Sequence, residues 1–254
     1  MGNWLVFAFL FYLGSSFGWV LELFYRRFIS KANPERKWIN PGFLVGPCLP
    51  LYGMGLCILY MLSVAEASLS RAIPSDALRI ALLVVSMCAS MTLLELAIGE
   101  VCLRGFNLRL WDYRDQPGNF KGLICPLFSF YWTVLGVLYY VAVHPHVEHM
   151  VQWLSENLQF SFFVGMFFGF FFVDLAYSAN IVVKIKRFAY ENDVVVRYEQ
   201  LKAYIRSVRD ERKLKVRFLL PLQTDSPFTD NLKSFREHLE KKMDLEFAFR
   251  RKKR

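Results

Sequence analysis

The sequence predicts an all-α, polytopic membrane protein with five transmembrane helices and a helical, basic cytoplasmic tail. Three observations carry this. The hydrophobic set makes up 55% of the 254 residues and gathers in blocks instead of recurring at amphipathic spacing. Five blocks reach about 20 residues, which at ~1.5 Å rise each cross a hydrocarbon core roughly 30 Å thick. Lysine and arginine are unevenly distributed among the connections, and short cytoplasmic loops retain the positive excess.

The first span runs from Trp4 to Phe24. Nothing before it is charged except the terminus, so it lacks the basic region of a cleaved leader and reads as an anchor held by Arg26 and Arg27. The second runs from Phe43 to Val64, the third from Ile80 to Gly99, the fourth from Leu123 to Val143 and the fifth from Phe160 to Val183. The first connection carries Arg26, Arg27, Lys31, Arg36 and Lys37, and the second only Arg71 and Arg79. The third carries Arg104, Arg109, Arg114 and Lys121, and the fourth, 144–159, has no lysine or arginine. This alternation predicts an outside N-terminus and an inside C-terminus. A membrane domain over 1–183 is then followed by a cytoplasmic tail over 184–254.

The tail holds twenty basic residues against eleven acids, a surplus of nine that equals the net charge of the whole chain, +9. Basicity is therefore a tail property and gives no ground for nucleic-acid binding. Leu201, Tyr204, Ile205 and Val208 form the apolar stripe of a first tail helix, which ends at Pro221 and the Asp225, Ser226, Pro227 cluster. A second helix begins near Thr229, carries Leu232, Phe235 and Leu239 on one face, and finishes in five consecutive basic residues, 250–254. Such an end is attracted to anionic membrane lipids; the alternative is a docking arm for a cytosolic partner. In the fourth connection, Val147, Met150, Val151, Leu154 and Leu158 fall at helical spacing beside Trp153, predicting a short amphipathic helix on the outer membrane surface.

Cysteines 48, 57, 88, 102 and 125 lie in spans or at their cytoplasmic ends, so disulfides are not expected. The CxxC and HExxH spacings are absent, and no metal or cofactor is expected.

Charged side chains inside spans cost ~2.5 to 3.5 kcal/mol at the helix centre and need a reason. Glu22, Glu95 and Asp174 qualify. Glu22 lies four residues before Arg26, the favourable order for a helical ion pair, whereas Arg104 is too far along its helix to serve Glu95 in the same way. Asp174 is deeper; a hydrogen-bond network with a neighbouring helix and a transport role are both open to it. Gly165 and Gly169 on the same span would allow close helix contact.

Three prolines and three glycines fall between Asn40 and Gly53. Backbone so interrupted is tolerated at membrane depth only where protein or water shelters it, which suggests either a cytoplasm-facing cavity or a kinked helix. Asn40, Tyr52 and Asn119, with Trp111, Asp112 and Tyr113 in the third connection, would border the cavity together with Glu22 and Glu95.

The chain also repeats itself weakly. Leu21, Glu22, Leu23 resembles Leu94, Glu95, Leu96, and Asn40, Leu44, Val45, Pro47 aligns without gaps on Asn119, Leu123, Ile124, Pro126. Either short apolar segments coincide, or the first two spans and the next two form a parallel repeat about an axis along the membrane normal. In the second case Glu22 and Glu95 would face one axis at one depth, where two carboxylates could bind a cation or share a proton.

Gly18, Trp19 and Glu22, then Asn40, Gly42, Phe43, Gly46, Pro47, Pro50, Tyr52 and Gly53, then Glu95, Trp111, Asp112, Tyr113, Asn119, Gly122 and Pro126 stand in an order and spacing that resemble the ABC transporter permease family called type IV or CmpB-like, small bacterial membrane proteins. Pro41 departs from that pattern, and the tail's relation to the family is open. The resemblance implies a multi-pass protein of the bacterial cytoplasmic membrane acting as a permease-like subunit. The sequence contains no GxxxxGK[ST] loop, so that reading requires a separate cytosolic ATPase. Two other readings stand beside it: an inner-leaflet enzyme acting on a lipid-linked substrate with Glu22 or Glu95 as acid or base and Asp112 nearby, and an accessory or assembly protein acting through its tail.

Overall fold

Each apolar block forms a helix, because in lipid a backbone N–H or C=O is satisfied only within its own segment. The computed structural model describes residues 2–30, 33, 35–69, 73–211 and 228–252, with side chains described except at 69, 209–211 and 242–252. The elements in order are α1 (Asn3–Phe28), α2 (Pro50–Leu69), α3 (Asp76–Phe106), β1 (Leu108–Arg109), α4 (Pro126–Leu138), a π-helical turn (Tyr139–Val143), α5 (His144–Glu156), a 3-10 turn (Leu158–Phe160), α6 (Ser161–Glu191), β2 (Val196–Arg197), α7 (Tyr198–Glu211) and α8 (Phe228–Lys252). Five helical stretches are long and apolar enough to span a membrane: Asn3–Phe28, Pro50–Ser68, Asp76–Phe106, Pro126–Glu156 and Leu158–Glu191.

Two compact units emerge. One comprises Met1–Val101 with Asp112–Ser178, the other Cys102–Trp111 with Ala179–Arg254. In the first, α1 lies against α2 at unusually short range. A Cβ on Gly14 would fall 2.7 Å from Leu56 Cβ, one on Gly18 2.2 Å from Tyr52 Cβ, and one on Gly53 2.2 Å from Ser15 Oγ. Gly14 and Gly18, four apart on α1, face Gly53 and Tyr52 of α2 and let the backbones approach, and dispersion at that distance replaces the hydrophobic drive that lipid does not supply. Around this contact Leu10, Leu59, Leu83, Met87, Met91, Trp132, Tyr139 and Val147 form the main buried cluster.

Three details depart from the sequence expectations. The second helix starts at Pro50, not Phe43, with residues 41–49 non-helical. Prolines 41, 47 and 50 offer no N–H, and the Leu49 N–H donates sideways to the Ser15 carbonyl at 3.0 Å. The 144–156 segment is no separate surface helix: helical backbone continues from Pro126 through the π turn to Glu156. Pro145 would break an α-helical bond one turn earlier, and the wider π turn sits where that strain falls. Val147 and Leu154 are buried in the bundle, Leu154 with Phe9 and Val164, instead of facing lipid. Gly165 and Gly169 make no close helix contact; a Cβ on either would meet nothing within 4 Å. In this unit α6 packs through a different face, with Phe168 and Phe171 on Phe11 at 5.8 and 5.5 Å and Phe167 on Tyr12 at 4.7 Å.

At the end of the bundle that holds the α2–α3 connection, Glu66 accepts from Arg79 Nε at 2.7 Å and from the Tyr140 hydroxyl at 3.0 Å, joining α2, α3 and the π turn.

In the second unit β1 and β2 pair in parallel, Leu108 with Val196 and Arg109 with Arg197; two-residue strands leave no periodicity from which a sequence could announce them. Ile185, Phe188 and Ala189 of α6 are buried, and Lys186 Nζ sits 5.6 Å from the Phe106 ring centroid. The tail helices pack through Leu201, Ile205, Leu232 and Phe235, all buried, with the Tyr204 ring 5.4 Å from Phe235. Pro221, Asp225, Ser226 and Pro227 lie outside the described residues, as do the side chains of the basic terminus.

Candidate functional site

The close α1–α2 approach decides where Tyr52 points. Gly18 makes room for its Cβ, and its hydroxyl donates to Glu22 Oε2 at 3.0 Å while Arg26 Nε donates to Oε1 at 3.0 Å. The Tyr52 ring stands 5.2 Å from that of Trp132 on α4. Trp132 in turn donates its Nε1–H to Glu95 Oε2 at 3.1 Å, and the Tyr113 hydroxyl donates to Glu95 Oε1 at 2.8 Å. Arg26, Glu22, Tyr52, Trp132, Glu95 and Tyr113 thus form one contiguous acid–aromatic network joining α1 to α4. Glu95 is 2% exposed. Burial, and then the neighbouring Glu95 carboxylate, hold the Tyr113 phenol well above its usual range, so Tyr113 stays neutral.

Tyr113 is positioned by its connection. Its ring stacks on Phe128 at 4.2 Å and its N–H donates to the Gly122 carbonyl at 2.9 Å. Gly122 has φ +68°, a left-handed conformation suited to glycine, and its N–H donates to Asn119 Oδ1 at 3.0 Å. Asn119 Nδ2 donates to the Arg114 and Gln116 carbonyls at 3.2 and 2.8 Å. Asn119 therefore shapes the loop that delivers Tyr113. Asp112 pairs with Arg114 at 2.7 Å, and Trp111 belongs to the second unit.

Asn40 and Asp174 hold the non-helical segment. Asn40 is fully buried. Its Oδ1 accepts from Trp19 Nε1 at 2.9 Å and from the Gly42 N–H at 3.1 Å, and its Nδ2 donates to the Leu44 and Val45 carbonyls, each at 3.0 Å. Asp174 accepts the Val45 and Gly46 N–H groups at 2.9 and 2.7 Å, with Ser178 Oγ at 3.3 Å. Of the two roles open to it, the contacts are those of an anchor for irregular backbone. Replacing Asp174 by alanine is expected to leave two N–H groups without acceptors, at roughly 1–3 kcal/mol each. The check is a lowered melting temperature in detergent, with Asp174→Glu retaining part of the loss.

Sequence reasoning missed Trp132, which reads as one more member of an apolar run, and the approach of Gly14 to Gly53 and of Gly18 to Tyr52. The spacing of four between Gly14 and Gly18 was the available signal.

No curated protein and no solved structure matches the chain. Residues 9–179, which cover all of the acid–aromatic network and reach beyond Asp174 into α6, match the model of the family described as "Putative ABC-transporter type IV". With two thirds of its length inside that match, the chain is a multi-pass membrane protein that belongs to the ABC-transporter type IV family.

Proposed function

We propose that this protein is a permease-like subunit of an ABC-type transporter in the bacterial cytoplasmic membrane. It works with a separate cytosolic ATPase, its N-terminus outside and its C-terminus inside. The observation that carries this reading is the non-helical segment 41–49, held by Asn40 and Asp174 beside the network that links Glu22 to Glu95. Irregular backbone next to intramembrane carboxylates is how membrane transporters build substrate and ion sites. Family membership supports the transport class, and the lysine and arginine distribution supports the orientation.

We take α1–α2 and α3–α4 as two related hairpins. Each brings a glutamate bound by a tyrosine hydroxyl and an asparagine that accepts a glycine N–H. Membrane lipids surround the exposed apolar faces, and the third connection and the tail each offer a surface for coupling. A groove of about 290 Å³ between α7 and α8, lined by Tyr204, Ser207, Phe235 and His238 among others, also suits an accessory protein acting by contact.

Gentle extraction of the full chain should co-purify an ATPase, and substrate-dependent flux in liposomes should require it. A monodisperse protein with no ATPase partner would sink the permease reading.

A further inference from the structure

Glu22 and Glu95 are alike in sequence but not in what balances them. Glu22 has Arg26 at ion-pair distance. Glu95, nearly sealed from solvent, is held by two neutral donors, Tyr113 and Trp132, and among the described residues it has no cation at ion-pair distance.

The two donors differ in one respect that matters. An indole N–H can only donate, so Glu95 Oε2 must accept in every protonation state. A phenol can donate or accept. We propose that Glu95 is a proton-binding site of this protein, with the proton residing on Oε1 and the Tyr113 hydroxyl reversing from donor to acceptor when it arrives. The proton comes from hydronium of the bulk, which leaves as water, and bonds to Oε1; the Oε1–H then makes a hydrogen bond to the Tyr113 oxygen. The Trp132 bond to Oε2 persists, and the Tyr113 hydroxyl hydrogen turns away from Glu95. Protonation thus removes a buried charge from the membrane without breaking the carboxyl group's contacts.

Because Tyr113 is bonded into the loop through Gly122 and stacked on Phe128, reversal of its hydroxyl carries the charge state of Glu95 into the 112–124 connection. The titratable groups facing Glu95 are Glu22 from α1, already paired with Arg26, Tyr52 from α2 and Tyr113 from the connection, with Cys125 behind Tyr113.

The inference goes beyond the permease reading and is tested on the purified full chain in lipid nanodiscs, so its failure leaves that reading standing. Infrared difference spectra recorded across pH should show a protonated-carboxyl stretch that grows as pH falls. Glu95→Gln should abolish it, Glu22→Gln should keep it, and Tyr113→Phe should raise its frequency through loss of the hydrogen bond. Trypsin cleavage at Arg114 and Lys121 should change several-fold with pH in the wild type, beyond the change seen in Glu95→Gln. Persistence of the band in Glu95→Gln, or a Glu95 that stays a carboxylate at every pH where the protein remains folded, would overturn the assignment. Equal pH dependence of cleavage in the two proteins would overturn the link to the loop.

Discussion

Gly18→Ala is expected to force α1 and α2 apart and lower the stability of the bundle by about 1–3 kcal/mol, the range for overpacking a filled contact. The added carbon would sit 2.2 Å from Tyr52 Cβ and 2.3 Å from its Cγ. The Tyr52 Cβ is fixed to the backbone of α2 whatever the rotamer, so relief requires the helices to separate and not merely a rotamer change. Separation also withdraws the Tyr52 hydroxyl from Glu22 and disturbs the ring contact with Trp132. Thermal denaturation in detergent should show the loss, and the Trp132 emission should shift with it. Gly165→Ala is the matched control. Its Cβ meets nothing within 4 Å, and alanine is favoured over glycine in a helix by about 0.8–1.0 kcal/mol, so this variant should melt no lower than the wild type. Equal melting of all three proteins would remove the basis for the close α1–α2 contact.

Asn40→Ala is expected to cost more. The side chain serves acceptor and donor roles together in a fully buried place. Its removal strands the Trp19 indole N–H, the Gly42 N–H and the carbonyls of Leu44 and Val45. With orphaned buried groups at roughly 1–3 kcal/mol each, several kcal/mol are at stake. Asn40→Asp should rescue little, because a carboxylate keeps the acceptor but faces the two carbonyls with no hydrogen to offer. Circular dichroism melts and Trp19 emission read the effect; wild-type melting for Asn40→Ala would mean that the 41–49 segment is held some other way.

These residues show how far the sequence can be read. The five spans are legible because a run of about 20 apolar residues has few other structural solutions. The tail helices are legible because Leu201 and Ile205, or Leu232 and Phe235, recur at helical spacing. The start of α2 is not, since proline and glycine between Asn40 and Gly53 announce irregularity without naming its anchor, and Asp174 is 128 residues away from Gly46. The face of 144–156 is equally suited to lipid or to a protein core, and only the packing of Val147 and Leu154 decides. Gly165 and Gly169 have the right spacing on the wrong face. Glu22 and Glu95 stand out as acids in apolar runs, and Arg26 four residues on is visible as a partner for the first. The connection through Tyr52 and Trp132 depends on which side chains meet across three helices, and pattern alone does not encode that.

On the function proposed above, the network around Glu95, and not the tail alone, is where this protein works. ATP turnover of the co-purified complex in liposomes, compared between wild type, Glu95→Gln and a chain ending at residue 183, tests it most directly. Glu95→Gln should assemble with the ATPase as the wild type does but lose most of the substrate-stimulated turnover. Wild-type turnover in Glu95→Gln, together with complete loss on removal of 184–254, would contradict it and mark the protein as one that acts through its tail.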